Sequence, residues 1–507
     1  MNAPGVSEGA APPRGQVFRY QGFAVDAELG QLTCRYSLDG TRFTERVTLP
    51  PGPGWHTDAA RAAARIVYLL AGVSYYKTAA PPLIDLGGTA LTARERAFLL
   101  EFYQSGLAEY AYRNHLDLSP LRIESPAPPT QPGSPTQPTQ LTEAPVPGVL
   151  GTSPIPPAPS QPAHQPHGWS FEPPITGSML QPSSAGLRPL VPFGGGIDSI
   201  VTVEGIRQRT ADIALFVVSR PGDRFDAIER PAAVSGLPVL RAAREIDPKL
   251  LRSAELGYLN GHVPVTGIIS AIAVLAAALD GRDAVVMSNE WSASVPTLEH
   301  DGRPVNHQWS KSAAFEADFR ALLAAQPAAL PDYFSALRDR TELWVGERFA
   351  RLTQYHGTFR SCNRAFHIDT ARRLGHWCGQ CDKCCFIDLI LAPFMSAGQL
   401  SAVFAADGAP IGQHGAEPLA KPELKPKFDT LLGTGTKPFE CVGEVNECRA
   451  AVLLAAARPD RAATPLLRQL AAEVAGRPDA PSAAETEAMR HPVGTSFIPA
   501  AYAFGAT

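Results

Sequence analysis

A short apolar run that leads directly into a glycine-rich turn is the feature that most constrains the fold of this chain. Residues 187–193 read LRPLVPF, followed by GGGIDS at 194–199 and then by IVTVE. Gly194, Gly195 and Gly196 lack a Cβ, so they can adopt positive φ angles and place bare backbone amides against an anion. The pattern predicts a strand, a tight turn and a helix that begins near Asp198.

This turn has the chemistry of a nucleotide-phosphate site. Free N–H groups and the dipole at a helix start favour a phosphate group. Ser199 can donate a hydrogen bond there and Asp198 can help hold a magnesium ion, which suits ATP cleaved between its α and β phosphates. The spacing lacks the lysine of GxxxxGK[ST] loops and the GxGxxG of dinucleotide folds. A strand-to-helix turn without a ligand is the alternative interpretation.

After residue 186 the sequence alternates strands and helices. Predicted strands cover 187–193, 213–218, 237–240 and 284–288, and helices follow Asp198, Arg224, Thr266 and Ala313. This alternation is typical of a doubly wound parallel sheet, so the predicted fold class is α/β. Ligands of such sheets bind beyond the carboxyl ends of the strands. We assign this domain to 187–395 and a mainly helical region, which completes the site, to 396–507.

The segment before residue 124 has a different pattern. Alternating apolar and polar positions over 17–48 predict a β-meander, and 59–71 and 92–113 have helical periodicity. We therefore expect a small α+β domain at 17–123, behind a disordered tail at 1–16. Residues 124–186 are rich in Pro, Ser, Thr and Gln and cannot bury enough apolar surface to offset their ordering entropy. They are predicted to form a disordered linker, with recognition of a proline-binding partner as the alternative role.

Composition excludes several classes of protein. A formal net charge of -4 over 507 residues argues against a basic surface that binds nucleic acid. The N-terminus lacks the apolar core of a secretory signal, and the most apolar stretch, 263–279, is better explained as a buried helix than as a membrane span. We therefore expect a cytoplasmic protein with no nucleic-acid partner and no stable membrane insertion.

Two polar clusters lie near predicted strand ends or helix starts. Glu290 directly follows a predicted strand, so it would face the same crevice as the glycine turn and serve as a magnesium or substrate ligand. His307 and Lys311 lie at i and i+4 if 305–316 is helical. Lys311 would neutralise phosphate charge and His307 would move a proton near neutral pH. The alternatives are a solvated loop for Glu290 and an ordinary structural role for His307.

Five of the eight cysteines lie between residues 362 and 385. Cys378, Cys381 and Cys384 are separated by two-residue gaps, and Cys362 lies upstream. The CxxC spacing lets two thiolates bind one ion, and four sulfurs satisfy tetrahedral Zn²⁺. This predicts a structural zinc site, with an iron–sulfur cluster and unligated thiols as alternatives.

A last polar motif surrounds residue 440. Glu440, Cys441 and Glu444 follow one another in TKPFECVGEVNE at 436–447. A carboxylate or a thiol can remove or return a proton, which makes these residues catalytic candidates. Acidic residues also favour helix starts, so an ordinary helix terminus is the alternative.

Together these motifs resemble two known groups of proteins. GGGIDS resembles the SGGxDS signature of the ATP pyrophosphatase (PP-loop) superfamily, except that Gly194 replaces the leading Ser. The chain further resembles the family of UDP-N-acetyl-alpha-D-muramoyl-L-alanyl-L-glutamate epimerases. That resemblance rests on motifs in the family's order, at both ends of the chain: GVSYYK (72–77), GLAEY (106–110), GGGIDS (194–199), SNE (288–290), NHQWSKS (306–312) and KPFECVGEVNE (437–447).

The second resemblance implies an ATP-dependent isomerase of peptidoglycan precursor synthesis. ATP with Mg²⁺ would adenylate the α-carboxylate of the terminal glutamate of UDP-MurNAc-L-Ala-L-Glu and release diphosphate. The acyl adenylate would acidify the α-proton, and inversion followed by hydrolysis would give the D-glutamyl product and AMP. We rank Cys441 first for proton transfer, because a thiol can exchange a carbon-bound proton, with His307 and Glu440 behind it.

Two rival functions and one ambiguous motif complete these expectations. A 7-cyano-7-deazaguanine synthase-like enzyme also combines SGGxDS with a cysteine-bound zinc, but that family lacks the leading domain and the 437–447 motif. A non-catalytic scaffold would keep the fold and recruit partners through the proline-rich segment. Tyr75 and Tyr76 fit either a lid over the nucleotide-sugar or packing against a core.

Overall fold

The computed structural model describes residues 14–126, 186–405, 417–435 and 438–504. Most of the predicted tail and linker, and Lys437 of the last motif, lie outside these ranges. The strands of the described residues are, in chain order, β1 (Val17–Asp26), β2 (Gln31–Leu38), β3 (Thr41–Thr48), β4 (Leu83–Asp85), β5 (Arg122–Glu124), β6 (Pro189–Pro192), β7 (Ala214–Ser219), β8 (Val239–Glu245), β9 (Ala284–Met287), β10 (Leu298–His300), β11 (Arg303–Val305) and β12 (Asp332–Ser335).

Helices connect and cover these strands. The α-helices of the described residues are α1 (Asp58–Ala71), α2 (Val73–Tyr76), α3 (Ala93–Gln104), α4 (Ala108–Arg113), α5 (Ile197–Ile206), α6 (Asp226–Ser235), α7 (Pro248–Leu251), α8 (Val265–Leu279), α9 (Ala313–Ala324), α10 (Glu342–Ala350), α11 (Asp382–Leu391), α12 (Ala397–Ala405), α13 (Lys425–Leu431), α14 (Val445–Ala456), α15 (Pro465–Ala475) and α16 (Ala483–Ala488).

One mixed sheet of ten strands organises the described chain, in the order β12-β9-β6-β7-β8-β3-β2-β1-β4-β5. The pairings from β12 to β8 are parallel, those from β8 to β1 are antiparallel, and β4 and β5 again pair in parallel. The strands β10 and β11 form a separate hairpin. The structure therefore confirms an α/β fold, but the sheet is mostly parallel rather than wholly so.

The antiparallel joint between β3 and β8 unites the segments before and after the proline-rich stretch in one sheet. Arg46, Val47 and Thr48 pair with Glu245, Arg244 and Ala243. Beneath this joint, the fully buried carboxylate of Glu45 accepts hydrogen bonds from Arg244 at 2.8 and 3.2 Å and from the Tyr75 hydroxyl at 2.9 Å. A buried carboxylate requires such partners, so the ion pair makes the register of the joint specific.

Alternate residues of the central strands enter two different cores. Leu190 and Val285 pack with the apolar faces of α1, α8 and α9, whereas Val191 and Val286 pack with those of α5, α10 and α11. Because successive side chains of a strand point to opposite faces, the helices cover both faces of the sheet. The helix α8 is buried along most of its length, which confirms the buried-helix interpretation of 263–279. Across the described ranges, no helix combines the length and apolarity needed to cross a membrane.

Most local predictions agree with the structure, but three need correction or extension. The predicted β-meander is present as β1 to β3, but the 92–113 helix is two helices, α3 and α4. Gly106 lies at this break, where an added Cβ would come within 2.3 Å of the Phe102 carbonyl oxygen. Several elements were not predicted: the short strands β4, β5, β10, β11 and β12, and the helices α2, α7, α10 and α11.

The third correction concerns 305–316, which is not one helix. It contains the end of β11, a turn and a 3-10 turn at Trp309–Lys311 before α9 begins. Asn306 causes the interruption, because its side chain donates to the Ala293 carbonyl and accepts from the Gln308 N–H. The side chain of Ser312 then caps α9.

The order of the parallel strands reverses beside β6. From β6 the chain adds β7 and β8 on one side, and later β9 and β12 on the other. Ligands of open α/β sheets bind in the crevice outside the carboxyl ends of the strands at such a reversal. The glycine turn follows β6 and Glu290 follows β9, so both lie at this crevice.

Candidate active site

The glycine turn connects β6 to α5 in a conformation that requires glycine. Gly195 has φ +73°, and an added Cβ would lie 2.1 Å from the Ala227 carbonyl oxygen of α6. Gly196 is the N-cap of α5 and offers no side-chain cap, while the Ser199 hydroxyl donates to the Gly196 carbonyl at 3.1 Å. The first N–H groups of α5 therefore have no acceptor within the helix, as an anion site requires.

Three carboxylates converge beside this turn, and we call them the carboxylate cluster: Asp198, Glu290 and Glu342. One carboxylate oxygen of each lies within 4.8 Å of those of the other two. Asp198 lies in the first turn of α5, Glu290 follows β9, and Glu342 is the first residue of α10. Asp198 and Glu290 were predicted from the sequence, whereas Glu342 was not.

Burial and like charges raise the pKa values of two members of the carboxylate cluster, Asp198 and Glu342. Burial and the Glu290 charge raise the pKa of Asp198 to about 7. Burial, followed by the charges of Glu290 and Asp198, raises the pKa of Glu342 well above its ordinary value. Oxygen ligands from three carboxylates are the donor set preferred by Mg²⁺, so these residues fit a magnesium site.

A second set of charged groups surrounds the thiol of Cys441, and we call it the thiol cluster: Glu109, His307, Lys311 and Cys441. The Lys311 Nζ donates to the Cys441 Sγ at 3.3 Å. The Glu109 Oε2 lies 2.5 Å from the His307 Nδ1, and Cys441 is close enough to His307 to raise the pKa of the imidazole. The interruption of the predicted helix at 305–316 therefore still leaves His307 and Lys311 at one thiol.

Electrostatics in the thiol cluster favour a thiolate beside an imidazolium. Burial raises the pKa of Cys441, but the Lys311 charge and the His307 hydrogen bond outweigh it and lower the pKa to about 6. Burial lowers the pKa of His307, but hydrogen bonds to Cys441 and Glu109 raise it to about 9. Near neutral pH the pair therefore contains a basic sulfur and a protonated nitrogen.

Two residues of this region were not identified as candidates from the sequence. Glu109, 5% exposed, lies within the GLAEY motif, and that motif was its only sequence signal. The ring centroid of His262 lies 4.3 Å from that of His307. Burial and the charge of His307 lower the pKa of His262 to about 4, so it stays neutral beside the imidazolium. Nothing around His262 in the sequence indicated this position.

Two lysines connect the thiol cluster with the carboxylate cluster. Charges on Lys311 and Lys383 both lower the pKa of Asp198, while the nearby Cys441 raises it. Lys383 also donates to the Cys441 carbonyl oxygen. The glycine turn, the carboxylates and the thiol therefore belong to one site with alternating anionic and cationic groups.

The four predicted zinc ligands come together. The Sγ atoms of Cys362, Cys378, Cys381 and Cys384 all lie within 4.8 Å of one another, with Cys381 and Cys378 at 3.4 and 3.7 Å from Cys384. Sulfurs on one tetrahedral Zn²⁺ lie about 3.8 Å apart, given Zn–S bonds of about 2.3 Å. This thiol set fits zinc. The quartet also lies at the start of α11, where Cys381 is the N-cap and Lys383 is in the first turn.

Three residues that the sequence analysis singled out, Glu440, Tyr75 and Tyr76, have hydrogen-bond partners outside the thiol cluster and the carboxylate cluster. The Glu440 carboxylate accepts a hydrogen bond from the Asn363 side chain rather than from a member of the thiol cluster. Tyr75 and Tyr76 are fully buried, and their hydroxyls bond Glu45 and the Pro81 carbonyl. The packing interpretation of these two tyrosines is therefore confirmed.

Comparison with known proteins identifies the family of this chain. The family model of the MurL N-terminal domain matches residues 10–150 and 170–336, and that of the MurL C-terminal domain matches 358–485. No solved structure matches the chain significantly.

Three curated relatives cover most of the chain, and each is named UDP-N-acetyl-alpha-D-muramoyl-L-alanyl-L-glutamate epimerase. The protein from Salinispora tropica is 37% identical over 97% of this chain and 95% of its own length. The Micromonospora sp. protein is 36% identical over 97% of each, and the Xanthomonas oryzae pv. oryzae protein is 35% identical over 87% and 86%. The chain therefore belongs to the family of UDP-N-acetyl-alpha-D-muramoyl-L-alanyl-L-glutamate epimerases, which are isomerases.

Proposed function

We propose that this chain uses ATP to invert the α-carbon of the terminal glutamate in UDP-MurNAc-L-Ala-L-Glu, giving the D-glutamyl form for peptidoglycan precursor synthesis. The relatives' names supply the substrate and the reaction. One structural observation carries the proposal: a thiol with a lowered pKa lies in the same site as a glycine turn suited to phosphate. A base beside an activation site is what inversion at a weakly acidic carbon needs.

The first step is activation of the substrate carboxylate. An α-carboxylate oxygen attacks the α-phosphorus of ATP, the bond to the bridging oxygen breaks, and diphosphate leaves with that electron pair. The amides of Gly195 and Gly196 and the start of α5 bind phosphate oxygens, and Lys311 offsets their negative charge. Asp198 and Glu290 would hold Mg²⁺, which supplies charge neutralisation for the departing diphosphate.

The second step is proton transfer at the activated residue. The mixed anhydride withdraws electrons, so the α-proton becomes more acidic than that of a free carboxylate. The Cys441 thiolate removes this proton, and the His307 imidazolium, stabilised by Glu109, holds a proton to return to the carbon. The substrate would enter between Cys441 and His307 and replace their contact, so that the proton returns to the opposite face and inverts the centre. Water then cleaves the anhydride to the carboxylate and AMP.

We also propose that the cysteine quartet holds a structural Zn²⁺. Zinc bound by four thiolates leaves no open position for substrate, so its function would be to fix the start of α11. Lys383 would then be held where it donates to the Cys441 carbonyl. In this way the zinc site would support the thiol cluster without entering the reaction.

The direct test is incubation of the purified full chain with ATP, Mg²⁺ and UDP-MurNAc-L-Ala-L-Glu, followed by chiral analysis of the glutamate and quantification of AMP. We expect D-glutamate and AMP to form together, and both to require the nucleotide dipeptide. Unchanged L-glutamate without AMP would refute the proposal.

Two control reactions separate the rival functions. Diphosphate release with a deazaguanine carboxylate, and not with the muramyl dipeptide, would indicate a 7-cyano-7-deazaguanine synthase-like enzyme. Absence of ATP binding with Mg²⁺ in isothermal titration would indicate the non-catalytic scaffold.

A further inference from the structure

We propose that Glu342 is a ligand of the divalent cation, together with Asp198 and Glu290, and that the three carboxylates bind this cation before the nucleotide arrives. The proposal rests on the function proposed above and adds a residue that the PP-loop-like motif does not contain. It assigns Glu342 on α10 to the phosphate site, although 144 residues separate it from Asp198.

The three carboxylates come from three different elements of the fold and meet at one point. Asp198 extends from the first turn of α5, Glu290 from the loop after β9, and Glu342 from the start of α10. Glu290 and Glu342 are 5% and 1% exposed. Burial of three neighbouring carboxylates costs folding free energy unless a cation compensates their charge. The three carboxylates meet only after their separate elements have folded together.

The hydrogen bonding of these carboxylates is incomplete. Asp198 Oδ1 and Glu342 Oε2 are buried and have no hydrogen-bond partner among the described residues. By contrast, the buried carboxylates of Glu316 and Glu417 pair with arginines: Glu316 binds Arg338 at 2.8 Å, and Glu417 binds Arg461 at 3.1 and 3.2 Å. The unpartnered oxygens of the carboxylate cluster therefore point to a ligand rather than to a structural ion pair.

The donor set and its dimensions suit a hard divalent cation. The three residues offer oxygen alone, which favours Mg²⁺ or Mn²⁺ over the thiol-binding metals. Oxygens on one octahedral Mg²⁺ lie about 3 to 4.2 Å apart, given Mg–O distances of about 2.1 Å. Because the observed oxygens already lie within 4.8 Å of one another, closure around a cation requires only a small movement.

A further carboxylate holds the Glu342 backbone in place. The Glu342 N–H donates to the Glu447 Oε2 at 3.2 Å, across the contact between α10 and α14. This bond is made by the backbone, so the Glu342 side chain remains available for the cation. Glu447 thereby acts on the first residue of α10, which carries the proposed ligand.

Titration with Mn²⁺ alone, followed by the electron paramagnetic resonance signal of the free ion, tests this assignment without nucleotide or peptide. We expect the full chain to bind Mn²⁺, and Glu342→Gln to weaken that binding about tenfold or more, because ligand charge sets affinity. Glu342→Asp keeps the charge and is expected to retain more binding than Glu342→Gln. Circular dichroism melting of each variant would establish that it is folded.

Glu347→Gln is the matched control, because it removes a carboxylate from the same helix that pairs with Arg351 and Arg490 outside the cluster. We expect this variant to bind Mn²⁺ like the unaltered chain. Equal Mn²⁺ affinity of Glu342→Gln and the unaltered chain, or no Mn²⁺ binding by either, would overturn the assignment. Neither result depends on epimerisation, so failure of the cation site and failure of the proposed function are distinguishable.

Discussion

The thiol cluster and the carboxylate cluster lie in one site but have opposite electrostatic designs. In the thiol cluster, anionic and cationic groups alternate, and every member has a hydrogen-bond partner at 3.3 Å or less. In the carboxylate cluster, three carboxyl groups face one another, and two of their oxygens have no hydrogen-bond partner among the described residues. The first cluster is paired within the protein, whereas the second offers oxygen atoms that a cation can bind.

This difference indicates that the two clusters would serve different steps of the proposed reaction. Complementary charges in the thiol cluster lower the pKa of the thiol and raise that of the imidazole, so the proposed acid and base would be ready before substrate binds. Burial and neighbouring carboxylates in the carboxylate cluster raise the pKa values of Asp198 and Glu342. Proton transfer would thus be preorganised, and activation by ATP would depend on a bound ion.

The largest effect is expected from removal of the Cys441 thiol, which alters the thiol cluster and leaves the carboxylate cluster intact. Cys441→Ala should reduce exchange of the α-hydrogen with deuterated solvent about 10²- to 10⁴-fold, the usual contribution of a general base. Diphosphate release in the first turnover should survive, because the carboxylate cluster is intact. Cys34→Ala, a buried thiol of β2, is the control. Normal exchange by Cys441→Ala would mean that the thiol cluster is not the proton-transfer site.

The next prediction asks whether the thiol cluster depends on zinc. Cys384→Ser should lower the zinc content below the expected one ion per chain, lower the melting temperature and reduce exchange about tenfold or more, because α11 and Lys383 lose their anchor. Elemental analysis and calorimetry measure the first two effects. Cys385→Ala, the adjacent buried cysteine outside the quartet, should keep its zinc. Full zinc content in Cys384→Ser would contradict the assignment.

The pH profile of kcat/KM tests the charge state of the thiol cluster. The active form has a deprotonated Cys441, whose pKa is lowered to about 6, and a protonated His307, whose pKa is raised to about 9. The rate should therefore rise as pH increases through about 6 and fall as pH increases through about 9, by about tenfold per pH unit beyond each limit. A rate that continues to rise above pH 9 would rule out the imidazolium as the acid.

Glu109→Gln should narrow that profile rather than abolish activity. Loss of the carboxylate at 2.5 Å destabilises the imidazolium, so the pKa of His307 falls and the basic limb moves to lower pH. For a fall of about one pKa unit we expect roughly twofold lower kcat/KM at pH 8 and roughly tenfold lower kcat/KM at pH 10. Glu101→Gln, on an exposed face of α3, is the matched control. An unshifted basic limb would show that Glu109 has no electrostatic role.

The smallest effect is expected for a residue that the sequence favoured. Glu440→Gln should change kcat by less than about twofold, because the Glu440 carboxylate bonds Asn363 and not the thiol cluster. The measurement is steady-state AMP formation beside the unaltered chain. A loss comparable to that of Cys441→Ala would extend the thiol cluster to Glu440.

Sequence reasoning identified the parts of the site whose chemistry lies in short motifs. The structure places Glu290 beside Asp198 of the glycine turn, Lys311 beside Cys441, and the four cysteines of the quartet next to one another, although 305–316 is not one helix. Glu109, His262 and Glu342 were not identified. Each is a common residue type in an unremarkable helix or loop, so only its neighbours reveal its role.

The fold shows the same difference between local features, which the sequence predicts, and long-range pairings, which it does not. Periodicity placed β1 to β3, α1, α5 and α8, because alternation along a strand and apolar spacing along a helix are local properties. Periodicity did not reveal that β3 pairs with β8, because that pairing depends on Glu45 meeting Arg244 across 199 residues.

By itself, the sequence determined the glycine turn, the thiol quartet and the alternation of strands and helices. Backbone conformation, ligand spacing and hydrophobic periodicity are all set within a few residues. Only the tertiary structure decided that Glu109 stabilises His307 across 198 residues, that Lys311 meets Cys441 across 130, and that Glu342 joins Asp198. These pairings depend on strand order and helix packing, which arise when distant segments bury their apolar faces together.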